Sequence, residues 1–187
     1  VGPGLELSFQ NNMDLEFFGF HFSELYGGQL LMGTSHGLFL NGSPSENIKI
    51  GFGYGGGDGI YYDEDNPRLG EMTEAGGHVA LSPGIRWVLR PSLFWEQLAL
   101  GDELAYSGFV YRITSELYLS QSTWMRLVLD RSTFSEENTL EALVAWEKAP
   151  GQSAYLGASM GSAGTPDSLL EPTEWQAFAK LAWTFGL

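Results

Sequence analysis

His21, His36 and His78 are the only imidazoles in the 187-residue chain. Thr34-Ser35-His36-Gly37 sets a hydroxyl beside one of them, the pairing that nucleophilic hydrolases use. Successive side chains of an extended strand point to opposite faces, so Ser35 and His36 cannot pair directly, and no catalytic residue is assigned. The glycines at Gly53, Gly55, Gly56, Gly57 and Gly59 are no phosphate loop, because neither a following lysine nor a helix accompanies them. Asp63-Glu64-Asp65-Asn66 is rich in oxygen donors but lacks the glycine-punctuated spacing of a calcium loop. The chain has no cysteine, which removes disulfides, thiolate metal sites and thiol nucleophiles together. No metal site and no cofactor are expected.

Charge is the next chemical resource. Nine Lys and Arg face 23 Asp and Glu, a formal charge of −14, so nothing here could neutralise a nucleic-acid backbone. Ten charged residues share a pattern: Arg86, Arg90, Glu96, Arg112, Glu116, Arg126, Asp130, Glu141, Glu147 and Lys180 each fall between alternating apolar residues. Trp175, Ala177, Ala179, Leu181, Trp183, Phe185 and Leu187 occupy every odd position, with Glu174, Gln176 and Lys180 between them. The same period of two runs through Trp87 to Trp95, Phe109 to Leu119, Met125 to Leu129, Leu140 to Trp146 and Ala154 to Met160. Such segments are amphipathic strands with one apolar and one polar face. Hydrophobic residues make up 43% of the chain while mean hydropathy is −0.09, the dispersal that alternation produces. No run of about 18 apolar residues exists, so a membrane-crossing helix is excluded.

Tryptophans mark the ends of the apolar faces. Trp87 and Trp95, and again Trp175 and Trp183, lie eight residues apart. At about 3.3 Å per residue and a tilt near 40°, that spacing rises roughly 20 Å, close to the aromatic-bounded band of outer-membrane barrels. With Trp146, these five form the expected aromatic set at the lipid interface. Short connections are expected at 42–45, 82–84, 120–122 and 149–151. Longer or more acidic ones are expected at 23–30, 56–71, 100–103, 133–138 and 161–173 and gather Asp58, Asp63, Glu64, Asp65, Glu71, Glu74, Asp102, Glu103, Glu136, Glu137, Asp167 and Glu171. These acids are read as solvating groups, with divalent-cation binding near lipopolysaccharide as the sharper reading.

Strands are predicted near 5–22, 30–41, 46–55, 72–81, 85–99, 103–119, 122–132, 139–148, 152–161 and 173–187, ten in all. In the first, Leu5, Leu7, Phe9, Met13, Leu15 and Phe17 keep one phase and Phe18, Phe20 and Phe22 the other. That switch implies a bulge or a turn at Asn11-Asn12; a turn would make eleven strands and, because single-chain bacterial barrels have even numbers, imply further strands upstream. The chain opens on Val1 without Met or a leader, as a processed chain or a fragment would.

Tyr111-Arg112, Thr123-Trp124-Met125-Arg126-Leu127, the strand of Trp146, and Pro150-Gly151 followed by Tyr155-Leu156-Gly157 carry a resemblance. Over about the last 75 residues the chain resembles the C-terminal barrel region of a family of outer-membrane proteins that bear a carbohydrate-binding-module-like domain ahead of the barrel. The resemblance implies a barrel and carries over no catalytic or ligand residues and no glycan binding. The in-phase end at Trp183, Phe185 and Leu187 resembles the C-terminal signal read by the barrel-assembly machinery, which usually ends in Phe.

The expectation is therefore an all-β, antiparallel, up-and-down transmembrane β-barrel of about ten strands, or twelve or more with upstream strands. It would fill residues 1–187 as one domain, complete or as the C-terminal part of a larger barrel, in the bacterial outer membrane. Its ten patterned charges would face the lumen, mostly as a salt-bridged interior. Its partners would be outer-membrane lipid, the assembly machinery and a partner protein in an envelope complex, and its role a membrane-embedded pore, anchor or scaffold. Two alternatives stand beside it: a barrel enzyme acting on lipid or peptide through a rim cluster that includes His36 or His78, and a secreted β-sandwich that binds a ligand through exposed aromatics.

Overall fold

A computed structural model describes residues 2–10, 12–63, 66–149, 151–164 and 173–183. The described residues form an all-β protein without helices. Eleven strands make one antiparallel up-and-down sheet in which each strand pairs with its sequence neighbours. They are β1 (Gly4–Phe9), β2 (Met13–Tyr26), β3 (Gln29–Ser45), β4 (Ile48–Tyr61), β5 (Arg68–Gly84), β6 (Trp87–Leu100), β7 (Glu103–Tyr118), β8 (Thr123–Ser132), β9 (Glu137–Ala149), β10 (Gln152–Ala163) and β11 (Glu174–Trp183).

The structure takes the turn reading of the first predicted strand and corrects the expected connections. The first predicted strand is a hairpin: β1 and β2 pair from Phe9↔Met13 to Gly4↔Phe18, and Asn12 turns the chain with φ 58°. The total is eleven, the count that the turn reading of this segment gives. Connections are also tighter than expected. Gly27 and Gly28, at φ 57° and 79°, close β2 onto β3 in two residues, and 101–102 do the same for β6 and β7. Paired positive φ angles match the twist of a hairpin, so a glycine pair can replace a long loop. Asp58, Gly56, Gly57 and Gly59 lie within β4, and Glu71 and Glu74 within β5, instead of in a loop. Of the expected longer connections, 62–63 and 66–67 lie outside any strand, while 64–65 and 165–172 lie outside the described residues.

The chain divides into two compact units. Unit 1 comprises residues 1–79 and 93–109, and unit 2 residues 80–92 and 110–187. In unit 1 the register from Met13↔Gly42 to Tyr26↔Gln29 is unbroken, so no bulge explains the phase switch of β2. Both faces of β2 are apolar there for a packing reason. Phe18, Phe20, Phe22 and Phe39 share one face with Gly33, Gly37, Gly53 and Gly55. The Phe18 ring stacks on Phe39 and Phe20, with centroids 5.4 and 6.0 Å apart. A Cβ on Gly37 would lie 2.5 Å from the Phe18 ring, and one on Gly53 would lie 2.6 Å from Phe39. The glycines are thus floors under rings, covering a backbone that would otherwise lie bare.

This packing predicts that Gly37→Ala destabilises the folded chain by about 1–3 kcal/mol through overpacking. The cost should fall by at least half in a Phe18→Leu background, as read by denaturant midpoints in a double-mutant cycle.

Candidate functional site: a charged face behind an exposed apolar face

Register sorts unit 2 into two faces. Rows across β7–β11 read Leu117, Met125, Val144, Leu156, Ala179; then Ser115, Leu127, Ala142, Ala158, Ala177; then Ile113, Leu129, Leu140, Met160, Trp175. This apolar face is open to its surroundings: Leu127 is 47% exposed, Leu156 64% and Leu181 73%. The opposite face carries the charges yet holds the most buried apolar residues of this unit, Val128 at 8% and Ala145 at 0%. In water the burial would be reversed, because apolar side chains gain most by leaving solvent.

Next to the apolar rows, Tyr111, Arg131, Asn138 and Ser162 form a polar row at the end nearest the β8–β9 turn. The Arg131 guanidinium donates to Asn138 Oδ1 at 3.0 Å, and Asn138 Nδ2 donates to the Gly164 carbonyl at 3.4 Å. At the other end the row runs through Thr123, Trp146, Ala154 and Leu181. Trp175 and Trp183 stand on the same face of β11, both exposed. Trp87 donates its indole N–H to Ser115 Oγ at 2.9 Å, and in unit 1 Trp95 donates to Ser107 Oγ at 3.2 Å. An indole with its one donor satisfied on an apolar face is suited to a boundary between water and hydrocarbon.

Eight of the ten patterned charges meet on the charged face of unit 2. Arg112 grips Asp130 through two bonds, Nε to Oδ1 at 2.6 Å and Nη2 to Oδ2 at 2.7 Å. Arg90 pairs with Glu116 at 3.0 Å, and Arg126 stands directly opposite Glu116 in the ladder. Tyr155 donates to Glu147 at 2.8 Å while Lys180 Nζ sits 6.0 Å from the centre of the Tyr155 ring. Arg126, Glu141, Ser159, Gln176 and Phe178 line a cleft of about 330 Å³. Glu96 belongs to unit 1, where the Tyr106 hydroxyl donates to it at 2.6 Å. Arg86 lies in the turn before β6 rather than in the strand, and its carbonyl accepts from the Tyr118 N–H at 2.7 Å. The tyrosine partners were not anticipated; their only signal is a Tyr one strand away at matching parity.

The histidines do not assemble. His21 and His36 lie on the face that carries Leu15 and Leu38, whereas the ring of His78 covers Gly51 on the other. Ser35 and His36 point to opposite faces as expected. Among the described residues no three His, Asp or Glu side chains gather as a metal site. Asp63 Oδ1 accepts from the Asn66 N–H at 3.0 Å; Glu64 and Asp65, like Asp167, Glu171, Pro150, Phe185 and Leu187, lie outside the described residues. Asp58 accepts from the N–H and hydroxyl of Thr34 at 2.8 and 3.1 Å.

Just past β4, the Tyr62 hydroxyl donates to Glu24 Oε2 at 3.1 Å, and its ring meets Tyr26 edge-on at 5.1 Å. Partial removal from water, then the bond to Glu24, raises the Tyr62 pKa above its ordinary 10.0. The stabilisation is therefore complete below the unfolded value and is lost as pH rises through the folded one. Tyr62→Phe should flatten this alkaline loss, read as the denaturant midpoint across the tyrosine titration range. An unchanged pH dependence would rule out the bond as its source.

Comparison with protein-family models, with curated proteins and with solved structures finds no match for this chain.

Proposed function

We propose that the chain is a transmembrane β-barrel of the bacterial outer membrane, serving as a membrane-embedded pore, anchor or scaffold. One observation carries this reading: the apolar face is the exposed one, and the charges are paired on the other. Hydrocarbon is the environment in which that distribution is favourable, because a lipid-facing Arg or Lys at mid-membrane costs about 2–4 kcal/mol while a lumen-facing one does not. An up-and-down antiparallel sheet also supplies what a lipid-embedded backbone requires, namely partners for its N–H and C=O groups from neighbouring strands. The tryptophans would lie at the lipid headgroups, and the polar row of Arg131, Asn138 and Ser162 would bound the apolar band.

Within that range the paired charges favour an anchor or scaffold over a wide conduit. Arg112 with Asp130 and Arg90 with Glu116 tie adjacent strands on what would be the lumen side, and mixed signs fill a narrow interior. Outer-membrane lipid and the barrel-assembly machinery are then the partners, together with a protein of an envelope complex.

The test is refolding into lipid vesicles, followed by a cold detergent gel. A compact, strand-rich band that shifts only on boiling is the expected result, and monodisperse solubility in plain buffer would overturn it. A pair of variants checks the facing of the sheet. Leu127→Arg, on the exposed apolar face, should impair insertion by about 2–4 kcal/mol. Ser159→Arg, beside Glu141 on the charged face, should be tolerated; equal insertion of the two would refute the assignment of faces.

A further inference from the structure

Arg131 departs from the charge pattern of unit 2. Arg112, Arg126 and Lys180 lie on the charged face, but register puts Arg131 on the other, in the row Tyr111, Arg131, Asn138 and Ser162. The next row is Ile113, Leu129, Leu140, Met160 and Trp175, so its neighbours along and below are neutral. No carboxylate among the described residues forms an ion pair with it, including Glu136 in the turn beyond. Asp130, its neighbour in sequence, faces the other way and is gripped by Arg112.

The guanidinium is nevertheless held in place. Its Nη1 donates to Asn138 Oδ1 at 3.0 Å. Asn138 is only 1% exposed, and its Nδ2 donates to the Gly164 carbonyl at 3.4 Å, so its oxygen is turned to Arg131. The Nε and Nη2 of Arg131 bond to no described residue. In Arg112 that same edge takes both oxygens of Asp130, and its geometry suits a phosphate as well as a carboxylate. On a lipid-facing strand an arginine costs least near the headgroups, where phosphate is the anion at hand. A chain of net charge −14 repels anionic lipid as a whole, so a preference for such lipid requires a local cation of this kind.

We infer that Arg131 is a binding site for the phosphate of an anionic lipid headgroup. Nε and Nη2 take two phosphate oxygens while Asn138 fixes the guanidinium, and the acyl chains lie along Leu129, Leu140 and Met160. The inference rests on the membrane reading given above and names the lipid that the exposed apolar face selects.

The test uses the full chain refolded into phosphatidylcholine vesicles that carry a trace of spin-labelled lipid, either phosphatidic acid or phosphatidylcholine. The motionally restricted fraction of each label reports the lipid held at the protein perimeter. Phosphatidic acid is expected to be enriched over phosphatidylcholine, and Arg131→Gln to lower that enrichment about fivefold, equivalent to about 1 kcal/mol for one cation at the surface. Arg131→Lys keeps the charge but has no second edge to offer, and is expected to fall between the two; it decides the matter if the Gln variant does not refold. Enrichment equal to that of the unmodified chain in either variant would overturn the inference. So would displacement of the labelled phosphatidic acid by equimolar inorganic phosphate, which would show a site for a free anion. Restricted lipid without headgroup preference would remove this inference alone and leave the membrane reading standing. No restricted lipid of either kind would overturn both.

Discussion

Backbone pairing is the constraint on which the rest of this molecule depends. Every backbone N–H and C=O needs a hydrogen-bond partner, and here neighbouring strands supply it. The meander does this with the nearest strands in sequence, and the turns follow from that economy. Gly27 and Gly28 supply the positive φ angles that let β2 fold straight back onto β3. Asn12 does similar service between β1 and β2. With the ladders fixed, the period of two decides which side chains share a face, and the charge pairs follow: Arg112 reaches Asp130 because register sets them opposite.

Each of the two units fills one face of its own strands in a different way. Unit 2 fills it with opposite charges and with tyrosines that donate to carboxylates, as Tyr155 does to Glu147. Unit 1 fills it with rings lying over glycines, Phe18 over Gly37 and Phe39 over Gly53. The ring solution needs no counter-ion.

Alternation made the sheet legible before any coordinates. The strands of unit 2, the shared face of Arg112, Glu116, Arg126, Asp130, Glu141, Glu147 and Lys180, and the common face of Trp175 and Trp183 all follow from a period of two. The reading failed where glycine carries no sign of its face. Gly56 to Gly59 resembles a loop in composition, and only its place within β4 and the Met72 and Leu98 side chains over Gly59 reveal a strand. Phe18, Phe20 and Phe22 suggested an irregular strand because both faces are apolar, which a one-sided pattern does not anticipate. Arg86 fell to the turn because strand ends are decided by backbone pairing, and its carbonyl is taken by Tyr118.

Pairing only between sequence neighbours also governs how such a sheet is built. Each hairpin closes through a connection of a few residues, so the loop entropy to be overcome at each step is small and no strand waits for a distant mate. Assembly can then proceed as a zipper, each new strand templated by the one before it and leaving a fresh edge for the next. Each strand is thus the template for the one that follows it in sequence.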